Sequence, residues 1–315
     1  MFDTDPAVRS AATEGVRPTY LSGAAYRLGD TLRQAESLAG LGAFFEENGL
    51  PPDPAMLGLG AFHVAEGPLW ALAADAARAA LGAVGRIDAL ILCSSRFPGE
   101  TADHAEGMRG LLAETGIEPS FVAGVTLNRC ASFLTGIRLA ASLVATGQAE
   151  SCLVVTADRF TGDAERLRPF ALFSDGAAAC VIGAAPGDGP AYRVAGAGCA
   201  VDRDSMSETA RIAPGMVQRA NRALETVSGL SVAEHCAVLP TNVYTPIAVM
   251  AEAQGGAPAT AIFDANIPRR GHVFAADPVI NLVDREAAAP VGAGQRLMLA
   301  ATVPGIRVAL SLERV

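Results

Sequence analysis

Among the 315 residues, one cysteine stands where a thiol can be made reactive. Cys130, in LNRCASFLTGIRLAASLVATG, falls between a strand-like run (Phe121–Leu127) and a helix-like run (Ala131–Thr146). A helix N-terminus presents unpaired N–H groups and the positive end of its dipole, and both stabilise a thiolate. Ala131 and Ser132 are small, which leaves room for a carbonyl beside the sulfur. The chemistry of such a residue is covalent acyl transfer through a Cys-S-acyl thioester; the alternative is a core cysteine that happens to begin a helix. The other cysteines (Cys93, Cys152, Cys180, Cys199 and Cys236) lie in apolar or small-residue runs, as packing thiols do.

What the chain lacks narrows the chemistry further. All 24 basic residues are arginine and there is no lysine, which excludes Schiff-base and pyridoxal phosphate attachment and the lysines of P-loops and kinases. The four histidines, His63, His104, His235 and His272, include no two at metal-ligand spacing, so neither a metal nor a resident cofactor is expected. A net charge of −9 argues against nucleic-acid and anionic-membrane partners. The opening residues MFDTDPAV are acidic where a secretory signal is basic and apolar, and no apolar run reaches spanning length. A cytoplasmic protein with reduced thiols is expected.

Positioning Cys130 falls to alternating strands and helices. Leu69–Val84 and 106–116 read as helices. Asp88–Cys93, Phe121–Leu127 and Cys152–Ala157 read as strands, and Ala171–Ala184 as strand, turn at Asp175-Gly176, and strand. Residues 1–60, rich in Pro and Gly clusters, suggest loops between short elements. APGDGP at 185–190 is the best boundary. Beyond it the order recurs in outline: AYRVAGAGCAV, a helix near Val217–Val227, AVLP, a helix at Ile247–Gln254, AIFDA, a helix, then LMLAATV and IRVALSL. This predicts an α/β fold with largely parallel sheets, duplicated as halves 1–184 and 185–315.

The segment RCASFLTGIRLAASLVATGQAESCLVV resembles the active-cysteine region of the β-ketoacyl-acyl-carrier-protein synthase III family of the thiolase superfamily. LFSDGAAACVIG is similar to its F-G-D-G-A-x-A-x-V-L-G segment, and VPGIRVALSLERV can be laid on its C-terminal Gly-rich strand. The resemblance covers roughly residues 65–315. It implies a thiolase fold of five αβαβα layers, a homodimer, and Cys130 acylated from coenzyme A or an acyl carrier protein. It also implies an oxyanion hole made by the backbone N–H groups of Cys130 and Gly305, although Val303 and Pro304 replace the neighbours of that glycine.

The departures lie in the polar partners. Where the family has P-H-x-x-N this chain reads PTNVY, so Thr241 or Asn242 fills the histidine position after Pro240. Where the family has G-N-T-S it reads RRGHVFAAD, so His272 follows Gly271. G-H-x-x-x-x-D, ending at Asp277, also looks like the branch that makes esters and amides in secondary metabolism. An imidazole of pKa about 6.5 suits removal of a proton from an alcohol or amine acceptor. With Asn242 it instead supplies the two donors that decarboxylative C–C condensation needs. A non-catalytic partner subunit is a third reading, whose usual sign is a lost cysteine. Were 272–277 a helix, Asp277 would lie roughly 140° round from His272. Replacing His272 is then expected to spare acylation, the helix end supplying the thiolate. Arg269 and Arg270, with Arg159, Arg166 and Arg168, are candidates for phosphopantetheine or an acidic carrier, or else solvated surface charges.

Overall fold

The computed structural model describes residues 16–82, 84–97, 99–207 and 211–315; the opening segment MFDTDPAV lies outside them. In chain order the first half contains β1 (Tyr20–Leu28), β2 (Thr31–Gln34), α1 (Leu41–Glu47), α2 (Pro54–Leu57), β3 (Ala61–Val64), α3 (Leu69–Leu81), β4 (Ala89–Cys93) and α4 (Thr101–Thr115). It continues through β5 (Phe121–Val125), α5 (Ser132–Ala145), β6 (Ser151–Asp158), β7 (Leu167–Arg168), β8 (Ala171–Leu172) and β9 (Gly176–Gly183). The second half contains β10 (Tyr192–Val201), α6 (Pro214–Ser228), β11 (Ala237–Leu239), α7 (Thr245–Gln254), α8 (Ile267–Arg270), α9 (Asp277–Ala288), β12 (Arg296–Val303) and β13 (Ile306–Arg314).

Nine strands join in one sheet, ordered β11-β12-β13-β10-β1-β9-β6-β4-β5. Reading outward from the antiparallel β1–β10 seam, the two sides repeat. β1-β9-β6-β4-β5 is matched by β10-β13-β12-β11, with the same parallel and antiparallel relations at each step. The fifth position of the second side shrinks to one parallel bridge, Val238 with Ile262. AIFDA, expected as a strand, therefore supplies only that bridge, because Ala259–Ala261 turns as a 3₁₀ helix.

The sheet is mixed rather than largely parallel. Among the described residues, only the strand pairs β4–β5, β4–β6 and β11–β12 run parallel. The last strand of each half returns antiparallel: β13 follows β12 through the two-residue turn Pro304–Gly305, too short for a crossover helix. In 171–184, β8 pairs with β7 and only β9 joins the large sheet. β1 sits at the centre of the sheet, where loops were expected.

Helices stack on this frame in layers. α3 covers β1, β6 and β9 and carries α4 outside it. α5 and α9 lie between the two halves, each touching strands of both. α6 covers β10 and β13, beside α7. The order is helices, strands, helices, strands, helices. α5 is apolar nearly all round because it is buried between two sheet layers, with Phe133, Leu134, Ile137, Ala140 and Val144 in the main core. Among the described residues no helix is long and apolar enough to cross a membrane.

Candidate active site

Ligands in α/β sheets bind beyond the carboxyl ends of parallel strands, and here three adjacent ends carry polar groups. Ser94 and Ser95 follow β4, Cys130 follows β5, and Asp158 ends β6. Cys130 lies in a 3₁₀ turn, Arg129–Ala131, immediately before α5. Arg129 holds a φ of 49°, which non-glycine residues seldom adopt. Its guanidinium is anchored on the Pro304 carbonyl, so the cysteine turn is tied to the Pro304–Gly305 hairpin. Cys130 is half-buried and packs against the main core on one side. On the other it meets an aromatic cluster of Phe160, Phe170, Phe173 and Phe274. Burial pushes the thiols of Cys93 and Cys180 upward and that of Cys152 to about 11, as expected of packing cysteines.

His272 reaches this cysteine from the second half. Its N–H donates to the Leu172 carbonyl and its own carbonyl accepts from Ser174, so its backbone is locked to the β8–β9 connection. Gly271 makes the approach possible: its φ is 66°, and a Cβ there would stand 2.8 Å from the Leu172 oxygen. The imidazole is 1 % exposed. Its Nδ1 meets Asp277 Oδ2 at 2.5 Å, and its ring stands near enough to Cys130 for the two groups to couple electrostatically. Burial alone lowers the His272 pKa, but the charges and hydrogen bonds of Asp277 and Cys130 outweigh it and lift the pKa to about 10. Residues 272–277 are not a continuous helix. Phe274 takes a φ of 48° and Phe274–Ala276 forms a 3₁₀ turn, which brings Asp277 round to its histidine. Asp277 is fully buried and also accepts from Val273 N and Asn242 N, each at 2.7 Å.

Asn242 lies beside this pair with its side chain already engaged. Its Oδ1 accepts from Asn281 Nδ2 at 2.9 Å, and its Nδ2 donates to the Gly271 carbonyl at 3.2 Å. Asn281 also donates to the Pro240 carbonyl and accepts from Asn266, which extends a buried amide network under the loop. Thr241 Oγ1 accepts from Thr302 N, so it too braces backbone. Gly305 has a φ of 83° and accepts from Asp202 N.

The arginines divide by environment. Arg270 is bound to Asp284 and Tyr26, whereas Arg269 is exposed. Arg166 is neither a solvated charge nor open to a phosphate: it is buried in a bidentate pair with Asp175, which also accepts from Ala65 N and Phe160 N. This pair holds the 160–175 loop over the site. Arg159 donates to the Gly67 carbonyl, and Arg168 lies beside Glu165.

Sequence reasoning passed over Ser95, Asp158 and Asn281. Ser95 Oγ lies 3.6 Å from Cys130 Sγ. Asp158 is buried: burial raises its pKa to about 7, against hydrogen bonds from Ser94 and Ser95 that lower it. A polar residue closing an apolar parallel strand was the available signal for Ser95 and Asp158; Asn281, inside a helix, offered none.

Residues 126–202, which include the cysteine turn, α5, β6 and β9, match the family described as 3-oxoacyl-[acyl-carrier-protein (ACP)] synthase III. No curated protein matches the sequence. Among solved structures, the acyltransferase ChlB3 superposes with a TM-score of 0.80 at 19% identity, covering 95% of this chain and 98% of that one. A 3-oxoacyl-(acyl carrier protein) synthase III from Pseudomonas aeruginosa PAO1 gives 0.74 at 19%, covering 95% and 98%. A variant of OleA from Xanthomonas campestris gives 0.78 at 18%, again covering 95% and 98%. The chain has the thiolase fold and resembles the synthase III-like proteins of that superfamily.

Proposed function

We propose that this thiolase-fold, synthase III-like chain is an acyltransferase that loads Cys130 from an acyl-CoA or acyl carrier protein and passes the acyl group to an alcohol or amine. The observation that carries this is the Cys130–His272–Asp277 series, with His272 bonded to Asp277 at 2.5 Å and electrostatically coupled to Cys130. The reaction runs from protonated His272 with the Cys130 sulfur as thiolate nucleophile. The sulfur attacks the donor carbonyl and the carrier thiolate leaves with the proton of His272, which leaves imidazole neutral beside a thioester. That imidazole takes the proton of the acceptor O–H or N–H as the acceptor attacks. Collapse expels Cys130 as thiolate and restores the pair, so protons balance over one turnover. The backbone N–H groups of Cys130 and Gly305 hold the oxyanion in both steps. Because His272 supports the thiolate here, its loss slows acylation as well as transfer, unlike the expectation from helix position alone.

Decarboxylative condensation is disfavoured by Asn242. Its amide oxygen accepts from Asn281 and one amide N–H donates to Gly271, which ties the group to the loop and leaves at most one N–H for the carbonyl that reading must hold. A purely cavity-forming subunit has no use for this buried Asp–His–Cys series. The domain division falls at 184/185, supported by the strand order repeated across the β1–β10 seam. The protein acts as a homodimer through edge strand β5, where Phe121 and Val122 are exposed, and through Leu127 just beyond it, which is 88 % exposed and adjoins Asn128–Cys130. We assign it to the cytoplasm, where its six free thiols stay reduced, and to secondary metabolism.

The test is intact mass after incubation with a panel of acyl thioesters. One acyl group should be added to the wild type and none to Cys130→Ala. An adduct that persists on the variant, or maps to Cys152, overturns the assignment. Carbon dioxide release from a malonyl thioester, dependent on both Asn242 and His272, installs condensation instead.

A further inference from the structure

We propose that Ser95 is a second catalytic hydrogen-bond donor to the Cys130 sulfur, and that Asp158 is the positioning residue that holds it there. The inference rests on Cys130 being the nucleophile, but it concerns a group outside the histidine pair. Ser95 Oγ donates to Cys130 Sγ across 3.6 Å. A hydroxyl aimed at sulfur favours the charged form of the thiol, because a donor stabilises a thiolate more than a neutral S–H.

Ser95 sits in a turn beyond the end of β4, and such a turn needs a fixed point. Asp158, on the neighbouring parallel strand, provides it. Its Oδ1 accepts from Ser95 N and from Ser94 Oγ, each at 2.8 Å, and Ser94 Oγ in turn accepts from Arg96 N. Cys93 lies opposite Thr156 in the β4–β6 register, so the two strand ends are level and the contact does not depend on a mobile loop tip. Oδ2 of Asp158 is buried and has no hydrogen-bond partner. A carboxylate bound only through Oδ1, and kept away from water, is costly unless its position is needed. That oxygen is also the natural seat of a proton, in line with a carboxyl raised to about 7. Charged or titratable groups near Cys130 include His272 with Asp277, Asp158 itself, and Arg129, whose guanidinium donates to the Pro304 carbonyl.

The experiment is the pH profile of Cys130 alkylation by iodoacetamide, read by peptide mass mapping in the intact protein. Ser95→Ala should move the profile to higher pH, with alkylation slowed roughly 3- to 10-fold on its rising limb and an unchanged plateau. A purely structural role would lower the melting temperature and leave the profile in place. Asp158→Ala should shift the profile as Ser95→Ala does, and the double variant should add nothing further. Asp158→Asn keeps an acceptor for Ser94 and Ser95, folds without a cavity, and should retain the wild-type profile. A Ser95→Ala profile that coincides with wild type overturns the donor role. An Asp158→Asn profile displaced like that of Ser95→Ala overturns the positioning role. Alkylation needs neither donor nor acceptor, so failure of acyl transfer leaves this result readable on its own.

Discussion

Asp277→Asn is the substitution that probes the site most sharply, because it changes charge with almost no change of shape. In the native site Oδ2 accepts from His272 Nδ1 and Asn242 N, while Oδ1 accepts from Val273 N. An asparagine keeps only one acceptor oxygen, so its NH₂ must face one of these buried donors and leave it unpaired, at a cost of about 1–3 kcal/mol. The larger effect is on the imidazolium. Asp277 and Cys130 raise His272 from 6.5 to about 10, a gain in proton affinity on the order of 10³-fold. With the carboxylate gone, burial is opposed by Cys130 alone, and the histidine pKa falls. Transfer to the acceptor should drop roughly 10²–10⁴-fold, and acylation should lose its activity at the acidic end of the profile.

The same pair makes a statement about folding, with a definite sign. His272 binds its proton more tightly folded than unfolded, so its contribution to stability is complete below pH 6.5 and is lost as pH rises through about 10. Urea midpoints of the wild type should carry this decline between those limits, and Asp277→Asn should flatten it. Single-turnover acylation and transfer, followed by quenched mass spectrometry from acid to alkaline pH, measure the catalytic side. A variant that retains both rates within about threefold, with an unchanged profile, would refute the reasoning.

Three other outcomes follow from separate parts of the molecule. Gly305→Ala places a Cβ 2.5 Å from Met206 Cγ at a φ of 83°. Acylation should fall roughly 10²-fold through the displaced oxyanion donor while Cys130 alkylation holds, as paired rate measurements would establish. Glu252→Ala strips the partner from fully buried Arg307, bound through both terminal nitrogens at 2.7 Å. It should cost about 3–5 kcal/mol in denaturant unfolding. Val122→Lys on the exposed edge strand should turn a dimer into a 32.2 kDa species by light scattering, and a wild type already of that size contradicts the homodimer.

Much of the fold was legible in local pattern. α5 is a run of apolar residues almost all round, and β4, β6 and β9 are short apolar strands, so a buried helix among buried strands followed from hydrophobicity alone. β1 was not legible. YLSGAAYRL has little apolar alternation, and its pairing with β9 slips between Ser22 and Ala25, next to Gly23 at a φ of 60°. Its central place depends on partners more than a hundred residues away. The mixed sheet was hidden for the same reason, since strand direction is decided by pairing and not by composition.

The site divides in the same manner. The sequence by itself determined which chemistries were open: without lysine, and with His272 the only histidine in a segment aligned with the family's polar partners, a thiol with an imidazole was the remaining instrument. Only the tertiary structure decided how those groups are arranged. Spacing along a helix would turn Asp277 away from His272, whereas the left-handed Phe274 and a 3₁₀ turn bring them to 2.5 Å. Spacing also left the orientation of Asn242 open, whereas Asn281 on its oxygen and Gly271 on one N–H fix it. Ser95 and Asp158 lie 35 and 28 residues from Cys130 in the chain on either side, yet β4, β5 and β6 end together. Residue type sets the reactions a group can perform, but orientation and competing hydrogen bonds arise from through-space packing, which one-dimensional spacing does not encode.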